Sequence, residues 1–292
     1  MKSNLLAKII LTVGLVLISA ANLLAANTQC VKWPKKLVFA VIPVASSREM
    51  TESFKPLINF IEKQLGVKVE FKVASDYSAV ITGMKFKHVD LAYFGPKSYC
   101  EASKRANAEA IVAEIGKSGI AGYYGYIITK KGSGLKTIKD IKGHTWAFTD
   151  PQSTSGTLVP SVFFAKQGID PQKYFSKVIY SGSHEASILA VKNGKVDAAS
   201  TNNLDFERGL GKHWQKSDFN IIWKSKLIPG SPIAVRKDLP SSLKMALKGV
   251  FVSFKDPEGL EKLKIKGYLP VDDSFYDTIR ELIKFKEQLK NK

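Results

Sequence analysis

A run of hydroxyl side chains precedes a glycine in DPQSTSGTLVP, residues 150–160. Ser153, Thr154 and Ser155 lie between a predicted strand and a predicted helix, and Gly156 lets the backbone and a ligand approach closely. The first turn of a helix carries free N–H groups and the positive end of the helix dipole, which both attract an oxyanion. One hydroxyl would satisfy an ordinary helix cap, so three in succession favour an anion-binding turn. The spacing of a P-loop is absent.

The next strand-to-helix junction repeats this pattern in SGSHEASILAVKNG, residues 181–194. Ser183 is the predicted cap, and His184 lies at the helix N-terminus, where the dipole disfavours an imidazolium ion. A neutral His184 would donate a hydrogen bond to an anion. A surface capping residue explains the same position equally well, so both interpretations stay open.

Three further side chains lie at the predicted ends of elements. Tyr77 begins a helix, Tyr123 lies within the segment GYYGY, and Asp205 follows the residues TNN. Taken singly, each is more typical of a structural residue than of a binding residue, because a tyrosine commonly packs its ring and leaves its hydroxyl in water.

The chain also contains the residue types of a hydrolase triad, namely Ser153 or Ser155 with His184 and Asp205. The G-x-S-x-G elbow that positions such a serine is absent, which disfavours a hydrolase. The four histidines are widely spaced along the chain, so the sequence predicts no metal-ligand cluster.

Elements that would position these residues alternate between strand and helix. Residues 36–45 and 67–74 have the composition of strands, and residues 54–65 have apolar side chains at helical spacing. Strands that alternate with helices predict βαβ units and a mostly parallel sheet. A ligand would then lie at strand C-termini and helix N-termini.

The polar, glycine-containing stretch at 130–140 indicates a passage between two domains, and a second strand–helix alternation follows it. A second passage is predicted near two prolines around residue 230. We therefore expect one lobe from 36–128 plus 231–292 and an inserted lobe from 129–230. Two linking strands would join them, with the ligand between them.

The N-terminus has the build of a secretory signal peptide, which we assign to residues 1–26. Lys2 and Lys8 precede an apolar run, and small residues that include Ala26 follow it. The run is shorter than the roughly 20 residues of a spanning helix. The sequence therefore predicts export to the periplasm.

Cys30 and Cys100 are too few for a Cys₄ zinc site or a disulfide-dense scaffold. The residues at 27–29 lack the small-residue pattern of a lipoprotein site, so lipid attachment at Cys30 is disfavoured. In an oxidising compartment the two cysteines could pair, and the sequence alone leaves this open.

The 292 residues include 44 Lys and Arg against 26 Asp and Glu, a net charge of +18. The lysines are spread along the whole chain, which is typical of a solvated surface. Neither a helix-turn-helix nor an RNA-binding aromatic motif accompanies them, so nucleic-acid binding is not predicted.

Several segments together resemble the phosphonate-binding proteins of ABC importers, in the phosphate, phosphite and phosphonate group of periplasmic binding proteins. The likeness runs from about residue 36 to residue 238 and is weaker in the C-terminal helices. The segments that carry it are DYSAVITGMKF (76–86), VDLAYFGPKSY (89–99), DPQSTSG (150–156), GSHEASILAV (182–191), VDAASTNN (196–203) and IWKSKLIPGSP (222–232).

This resemblance implies an α/β type II periplasmic-binding-protein fold, in which two lobes joined by two crossover strands close on a ligand in the cleft between them. In that family a Ser-Thr-Ser turn, a histidine and two tyrosines hold the phosphonate oxygens. The matching residues here are Ser153, Thr154, Ser155, His184, Tyr77 and Tyr123.

Two positions depart from the aminoethylphosphonate-binding members, in which two carboxylates hold the amino group of the ligand. Here they are Asp205, which is shorter than the glutamate of those members, and Ser231, which is neutral. Burying an ammonium against a single acid is less favourable. Both residues are still expected beside the ligand, and the change favours an alkylphosphonate, phosphite or phosphate.

The sequence thus predicts a periplasmic, monomeric solute-binding protein that captures such an oxyanion by hinge closure and delivers it to a membrane ABC permease. We expect no catalysis, no cofactor and no metal. An aminoethylphosphonate-binding protein and a ligand-binding sensory protein remain alternatives, and a phosphoester hydrolase is disfavoured.

Overall fold

The structure is a computed structural model that describes residues 32–290. The predicted signal peptide and Cys30 lie outside the described residues. From Lys35 onward the described chain forms one compact unit. None of the helices between residues 32 and 290 combines the length and the apolar character that a bilayer crossing requires.

Strands and helices alternate along most of the described chain. The strands are β1 (Lys36–Val41), β2 (Lys68–Val73), β3 (Leu91–Tyr93), β4 (Ala108–Gly116), β5 (Gly122–Lys130), β6 (Thr145–Phe148), β7 (Lys177–Tyr180), β8 (Ala198–Asn202), β9 (Phe219–Pro229), β10 (Pro232–Arg236) and β11 (Ile265–Pro270). The helices are α1 (Ser47–Leu65), α2 (Tyr77–Lys85), α3 (Pro96–Ala106), α4 (Val159–Lys166), α5 (Pro171–Tyr174), α6 (His184–Lys192), α7 (Asn203–Arg208), α8 (Ser241–Ser253), α9 (Pro257–Leu263) and α10 (Asp277–Lys290). A π-helical turn, Thr154–Leu158, leads directly into α4.

The strands form two sheets, and each sheet is the centre of one lobe. The first lobe contains a six-stranded sheet in the order β11-β4-β10-β3-β1-β2, and the second lobe a five-stranded sheet in the order β7-β6-β8-β5-β9. Strand β1 pairs in parallel with β2 and β3, and β6 pairs in parallel with β7 and β8. The strands that continue from one lobe to the other pair antiparallel, so each sheet is mixed rather than mostly parallel.

The first passage between the lobes lies earlier than the sequence predicts. Strand β5 pairs with β9 along its length and with β8 from Gly125 to Thr129, so it belongs to the second sheet and the passage lies between Gly116 and Gly122. The predicted boundary at residues 128–129 falls inside β5. The polar stretch at 130–140 is a surface loop of the second lobe, because Thr129 Oγ1 donates to the Leu135 carbonyl and folds it back onto the sheet. The second passage lies at Gly230 and Ser231, between β9 and β10.

Helix α1 shows why these segments form regular elements. Ser46 caps its N-terminus by accepting from the Glu49 N–H, and Gly66 ends it in the left-handed conformation, with φ of 65°. Its buried residues, which include Phe54 and Leu57, repeat at helical spacing and pack on the first sheet.

Each lobe has an aromatic core of its own. In the first lobe Phe39, on β1, makes an edge contact with Phe54, with ring centroids 5.7 Å apart. In the second lobe the fully buried Trp146 stacks on Phe175 at 5.0 Å. Separate cores allow each sheet to keep its shape when the lobes move relative to each other.

The C-terminal region is mainly helical, with one strand, β11, between α9 and α10. Within the described residues Cys100 is a free, buried thiol whose Sγ lies 3.9 Å from the Tyr276 carbonyl. Its pairing with Cys30 stays a prediction, since Cys30 lies outside the described residues.

Candidate ligand-binding site

Five helical segments from the two lobes begin at one cavity in the cleft. In the first lobe it is lined by Tyr77, the first residue of α2, and by Gly95, the residue that precedes α3. In the second lobe it is lined by Ser153, which caps the π-helical turn, by His184, the first residue of α6, and by Asn202, which caps α7. The positive ends of several helix dipoles therefore point toward the same small volume.

The Ser-Thr-Ser turn is fixed by hydrogen bonds within the second lobe. Ser153 Oγ accepts from the Gly156 N–H at 3.0 Å, and the Ser153 N–H donates to the Asp150 carbonyl at 2.9 Å. Ser153 thus serves as the helix cap. Thr154 and Ser155, also buried, exceed the need for capping and line the cavity.

Gly156 has a role other than the predicted one. A Cβ at this position would lie 2.2 Å from Thr149 Oγ1, so only glycine lets the turn pack against the end of β6. The glycine therefore brings two parts of the second lobe together, and it does not line the cavity.

His184 is buried, and hydroxyl groups lie within hydrogen-bond distance of both of its ring nitrogens. Its Nε2 lies 3.3 Å from Ser153 Oγ, and its Nδ1 lies 3.2 Å from Thr201 Oγ1 and 3.5 Å from Thr149 Oγ1. Burial lowers the pKa of His184, and the opposing effect of Asp205 does not cancel it. The structure thus favours a neutral imidazole, as the sequence predicts.

Three tyrosines enclose the cavity. Burial raises the pKa of Tyr77, of Tyr93 and of Tyr123, so all three hydroxyls keep their protons and can donate. Tyr93 donates to Glu114 Oε2 at 3.1 Å. The Tyr77 hydroxyl has no hydrogen-bond partner among residues 32–290, although only 1% of this residue is exposed. Leaving a buried donor unpaired costs about 1–3 kcal/mol.

Asp205 supplies the single acidic side chain among the described residues that line the cavity. Its Oδ2 accepts from Asn202 Nδ2 at 2.7 Å, and its Oδ1 lies 3.3 Å from the Nε of Arg208. Arg208 is buried behind Asp205 and does not line the cavity.

Ser231 connects the cavity with the strands that join the lobes. It lies in the second passage, its carbonyl accepts from the Glu114 N–H at 3.0 Å, and its side chain lines the cavity. Gly230, beside it, donates its N–H to the Ala121 carbonyl at 3.1 Å, which holds the two passages side by side.

Hydrogen bonds also join the lobes at the mouth of the cleft. The Lys97 N–H donates to Thr154 Oγ1 at 2.9 Å, and the Glu185 N–H donates to the Val44 carbonyl at 3.1 Å. The Ser46 N–H donates to Glu185 Oε2 at 2.6 Å. The structure therefore represents a closed cleft, and the enclosed cavity has a volume of about 20 Å³.

All eight side chains that the sequence nominates line this single cavity. They are Tyr77, Tyr123, Ser153, Thr154, Ser155, His184, Asp205 and Ser231. Sequence reasoning missed Tyr93 and Asn202, which also line it. Both lie at the C-terminal end of a strand, the position where such a sheet places its ligand contacts, so the strand ends themselves were the available signal.

Ser153, His184 and Asp205 come together but not in the order of a hydrolase triad. Asp205 Oδ2 lies 3.9 Å from His184 Nε2, which is the same nitrogen that faces Ser153. In a triad the acid contacts the other imidazole nitrogen, and here Nδ1 faces Thr149 and Thr201. The arrangement is suited to holding an acceptor and not to relaying a proton away from the serine.

One histidine does lie beside two acids, although the sequence suggested that the histidines are too scattered for this. Glu49, Glu185 and His213 bring ligand-type atoms within 4.8 Å of one another at the rim of the cleft. His213 Nε2 lies 3.5 Å from Glu49 and 3.7 Å from Glu185, and Lys212 also faces Glu49 at 3.7 Å. These contacts form a charged link between the lobes.

Comparison with known proteins assigns the family. Residues 39–276 match the model of the family described as ABC transporter, phosphonate, periplasmic substrate-binding protein. The chain belongs to this phosphonate-binding family. Its members are substrate-binding components of ABC importers, which implies a periplasmic location.

Relatives and a solved structure agree with membership of the phosphonate-binding family. The phosphonates-binding periplasmic protein of Escherichia coli is 34% identical over 291 residues, which cover 96% of this chain and 86% of that protein. A phosphate-import protein of Mycolicibacterium smegmatis is 29% identical over 88% of this chain and 87% of its own length. The binding protein of an ABC phosphonate transporter from Pseudomonas aeruginosa superposes with a TM-score of 0.82 at 34% identity, covering 88% of this chain and 87% of that one. The two-lobed fold that the sequence predicts is thereby confirmed.

Proposed function

We propose that this protein captures a compact phosphorus oxyanion, namely an alkylphosphonate, phosphite or phosphate, and delivers it to a membrane ABC permease. Capture would occur by closure of the two lobes, with the protein acting as a periplasmic monomer and without catalysing a reaction. The named ligands of the relatives, phosphonates and phosphate, have the same tetrahedral oxyanion chemistry.

The convergence of helix N-termini on the cavity is the observation that carries this proposal. Ser153, His184 and Asn202 on one side and Tyr77 on the other offer hydroxyl, imidazole and amide groups at these termini. Helix N-termini bind anions through backbone N–H groups and the dipole. Among the described residues that line the cavity none is a lysine or an arginine, so neutral donors would carry the recognition.

Neutral donors suit a protein that must both bind and release. A buried ion pair repays its desolvation only with excellent geometry, whereas preorganised hydrogen bonds to an anion contribute about 1.5–3 kcal/mol each. The hydroxyl of Tyr77 gains a partner when an oxyanion enters, which links binding to closure of the first lobe.

A calorimetric panel tests the proposal. Methylphosphonate, phosphite and phosphate should bind with one-to-one stoichiometry, and an uncharged sugar should not. The double variant Ser153→Ala/Thr154→Ala should lose at least about 100-fold in affinity, because two contacts to a charged ligand disappear.

The matched control is the double variant Ser133→Ala/Thr137→Ala, in which two exposed hydroxyls of the second lobe are removed. Its affinity should equal that of the unmodified protein. Failure of every phosphorus oxyanion to bind would overturn the proposed ligand class, and an unchanged affinity of the Ser153/Thr154 variant would overturn the proposed site.

A further inference from the structure

Asp205 is the acidic residue that could receive a positively charged ligand substituent, and its carboxylate is already engaged by the protein. Oδ2 accepts from Asn202 Nδ2 at 2.7 Å, and Oδ1 faces Arg208 Nε at 3.3 Å. Only 7% of Asp205 is exposed, so these contacts are little screened by water.

Arg208 is a buried cation whose charge is paired but whose hydrogen-bonding capacity is only partly met. It is 6% exposed, its Nε contacts Asp205 Oδ1 as an ion pair without the geometry of a hydrogen bond, and its Nη1 has no hydrogen-bond partner among residues 32–290. Burial opposes its charge, but the surrounding acids, Asp205 first, outweigh burial and raise its pKa. Arg208 is thus a permanent positive charge immediately behind the cavity wall.

The Asp205 carboxylate and the Arg208 guanidinium cancel as a pair, and the further acids that act on Arg208 are Glu114 and Glu49. Asp205 contributes one negative charge and Arg208 one positive charge. Burial raises the pKa of Glu114 to about 8, so this carboxyl is mostly protonated at pH 7. His184 is neutral because burial lowers its pKa, and Ser231 carries no charge. An ammonium group placed beside Asp205 would lose its hydration and meet no uncompensated anion.

We propose that Arg208 is a specificity-determining positioning residue, which neutralises Asp205 from behind the cavity so that the site accepts an uncharged substituent and rejects an ammonium group. This inference rests on the proposed function, because it concerns the substituent of a bound phosphorus oxyanion. Arg208 would act through Asp205 and would not touch the ligand.

The same arrangement resolves an apparent conflict in the site. A carboxylate in the cavity wall would repel a dianionic ligand if it stood alone. The ion pair with Arg208 removes that repulsion, and the hydrogen bond from Asn202 fixes the carboxylate in place. An acid in an anion site is therefore tolerated because its charge is balanced within the second lobe.

Two ligands of equal size separate charge from shape. Ethylphosphonate and aminomethylphosphonate have the same number of heavy atoms and differ in a terminal methyl or ammonium group. Calorimetry, or competition against methylphosphonate, gives the ratio of their dissociation constants. For the unmodified protein we expect aminomethylphosphonate to bind at least about tenfold more weakly, since a unit charge at short range in such a site contributes more than 1.4 kcal/mol.

Three variants then move this ratio in predicted directions. Arg208→Gln leaves the charge of Asp205 unbalanced, so the ratio of the dissociation constant of aminomethylphosphonate to that of ethylphosphonate should fall by at least about tenfold. Asp205→Asn, with Arg208 intact, should raise this ratio. Arg208→Lys keeps the charge and should preserve the ratio.

If Arg208 had only a structural role, Arg208→Gln would weaken the binding of both ligands equally and leave the ratio of their dissociation constants unchanged. That result would overturn the inference. If Arg208→Gln fails to fold, Asp205→Asn still tests the inference, because an unchanged or smaller ratio of dissociation constants in that variant contradicts it. If methylphosphonate did not bind to the unmodified protein, the proposed function itself would be overturned.

Discussion

The two walls of the cavity differ in how their polar groups are held. In the second-lobe wall Ser153 Oγ, His184 and Asn202 all have hydrogen-bond partners within their own lobe. In the first-lobe wall Tyr93 is also held within its lobe, by Glu114, whereas the Tyr77 hydroxyl is buried and has no hydrogen-bond partner in the described chain.

This difference indicates a division of labour between the walls. The second-lobe donors are oriented by their own lobe whether or not the cleft is closed, so they form the surface on which an anion would first dock. The first-lobe hydroxyl of Tyr77 has no partner in its own lobe, and Ser153 of the second lobe interacts with it across the cleft, so an oxyanion there would supply the acceptor that its own lobe does not. Closure of that lobe would therefore be favoured by the ligand and disfavoured in its absence, which is what a binding protein of an importer requires.

The largest effect is expected from disturbing the rigid wall. Gly156→Ala places a Cβ 2.2 Å from Thr149 Oγ1, so the turn and the end of β6 must separate. We expect a destabilisation of about 1–3 kcal/mol and loss of measurable ligand binding. Thermal unfolding and calorimetry measure the two effects.

Gly249→Ala in helix α8 is the matched control, because a Cβ there meets nothing within 4 Å. It should leave affinity unchanged and stabilise the helix by up to about 1 kcal/mol. Equal behaviour of the two glycine variants would contradict the rigid character of the second-lobe wall.

A smaller and more selective effect is expected in the first-lobe wall. Tyr77→Phe removes a hydroxyl that lacks a partner in the described chain, so the ligand-free protein should keep or slightly increase its stability. Affinity for methylphosphonate should fall about tenfold, because one hydrogen bond to a charged acceptor is lost.

Ser153→Ala provides the contrast, since Ser153 Oγ also caps the turn by accepting from the Gly156 N–H. Ser153→Ala should lower the free energy of unfolding of the ligand-free protein by about 1 kcal/mol, and it should also lower the affinity for the ligand. If Tyr77→Phe destabilised the ligand-free protein as strongly as Ser153→Ala, the two walls would not differ in the way described.

The smallest effect concerns pH, and it has opposite signs for His184, in the second-lobe wall, and for Glu114, which is buried behind Tyr93 of the first-lobe wall. Burial lowers the pKa of His184, so its folded state resists protonation and stability is lost as pH falls below its unfolded value of 6.5. Burial raises the pKa of Glu114 from 4.5 to about 8, so stability is lost as pH rises through that interval.

His184→Gln should therefore remove part of the acid-side loss, and Glu114→Gln part of the loss toward pH 8. Each kcal/mol corresponds to about 2–4 °C in the thermal midpoint of a chain of this size. The measurement is the thermal midpoint of each variant and of the unmodified protein from pH 4.5 to pH 8. The midpoint of His184→Gln should approach that of the unmodified protein at pH 8, and the midpoint of Glu114→Gln should approach it at pH 4.5. Convergence at the same end for both variants would contradict these assignments.

Much of the fold and of the cavity could be predicted from the sequence. Alternating strands and helices identify the two lobes, and strand ends and helix starts share one edge of each sheet. That rule explains why residues as distant in sequence as Tyr77 and His184 line one cavity. The family resemblance supplied the tyrosines, which spacing alone could not.

What could not be predicted depends on tertiary contacts. Arg208 is the last residue of α7, where a basic side chain is usual and usually solvated, so nothing in the sequence indicates its burial behind Asp205. The early start of β5 was missed because glycines, which GYYGY contains, are uncommon inside strands, and because its pairing partners lie from 69 (Thr129 to Ala198) to 107 (Gly122 to Pro229) residues away in sequence.

Ser231 gives the molecule a mechanical property of its own. It lies where the chain turns from one lobe into the other, between strands β9 and β10, and its side chain reaches the cavity. Its neighbour Gly230 is clamped, since its carbonyl accepts from the Tyr276 hydroxyl at 3.0 Å and a Cβ would lie 2.3 Å from the Glu114 oxygen. A bound ligand would therefore contact the segment about which the two lobes would rotate, and a small displacement there would become a large one at the outer edges of the lobes. A permease that binds both outer edges would then distinguish the occupied protein from the empty one by the distance between them.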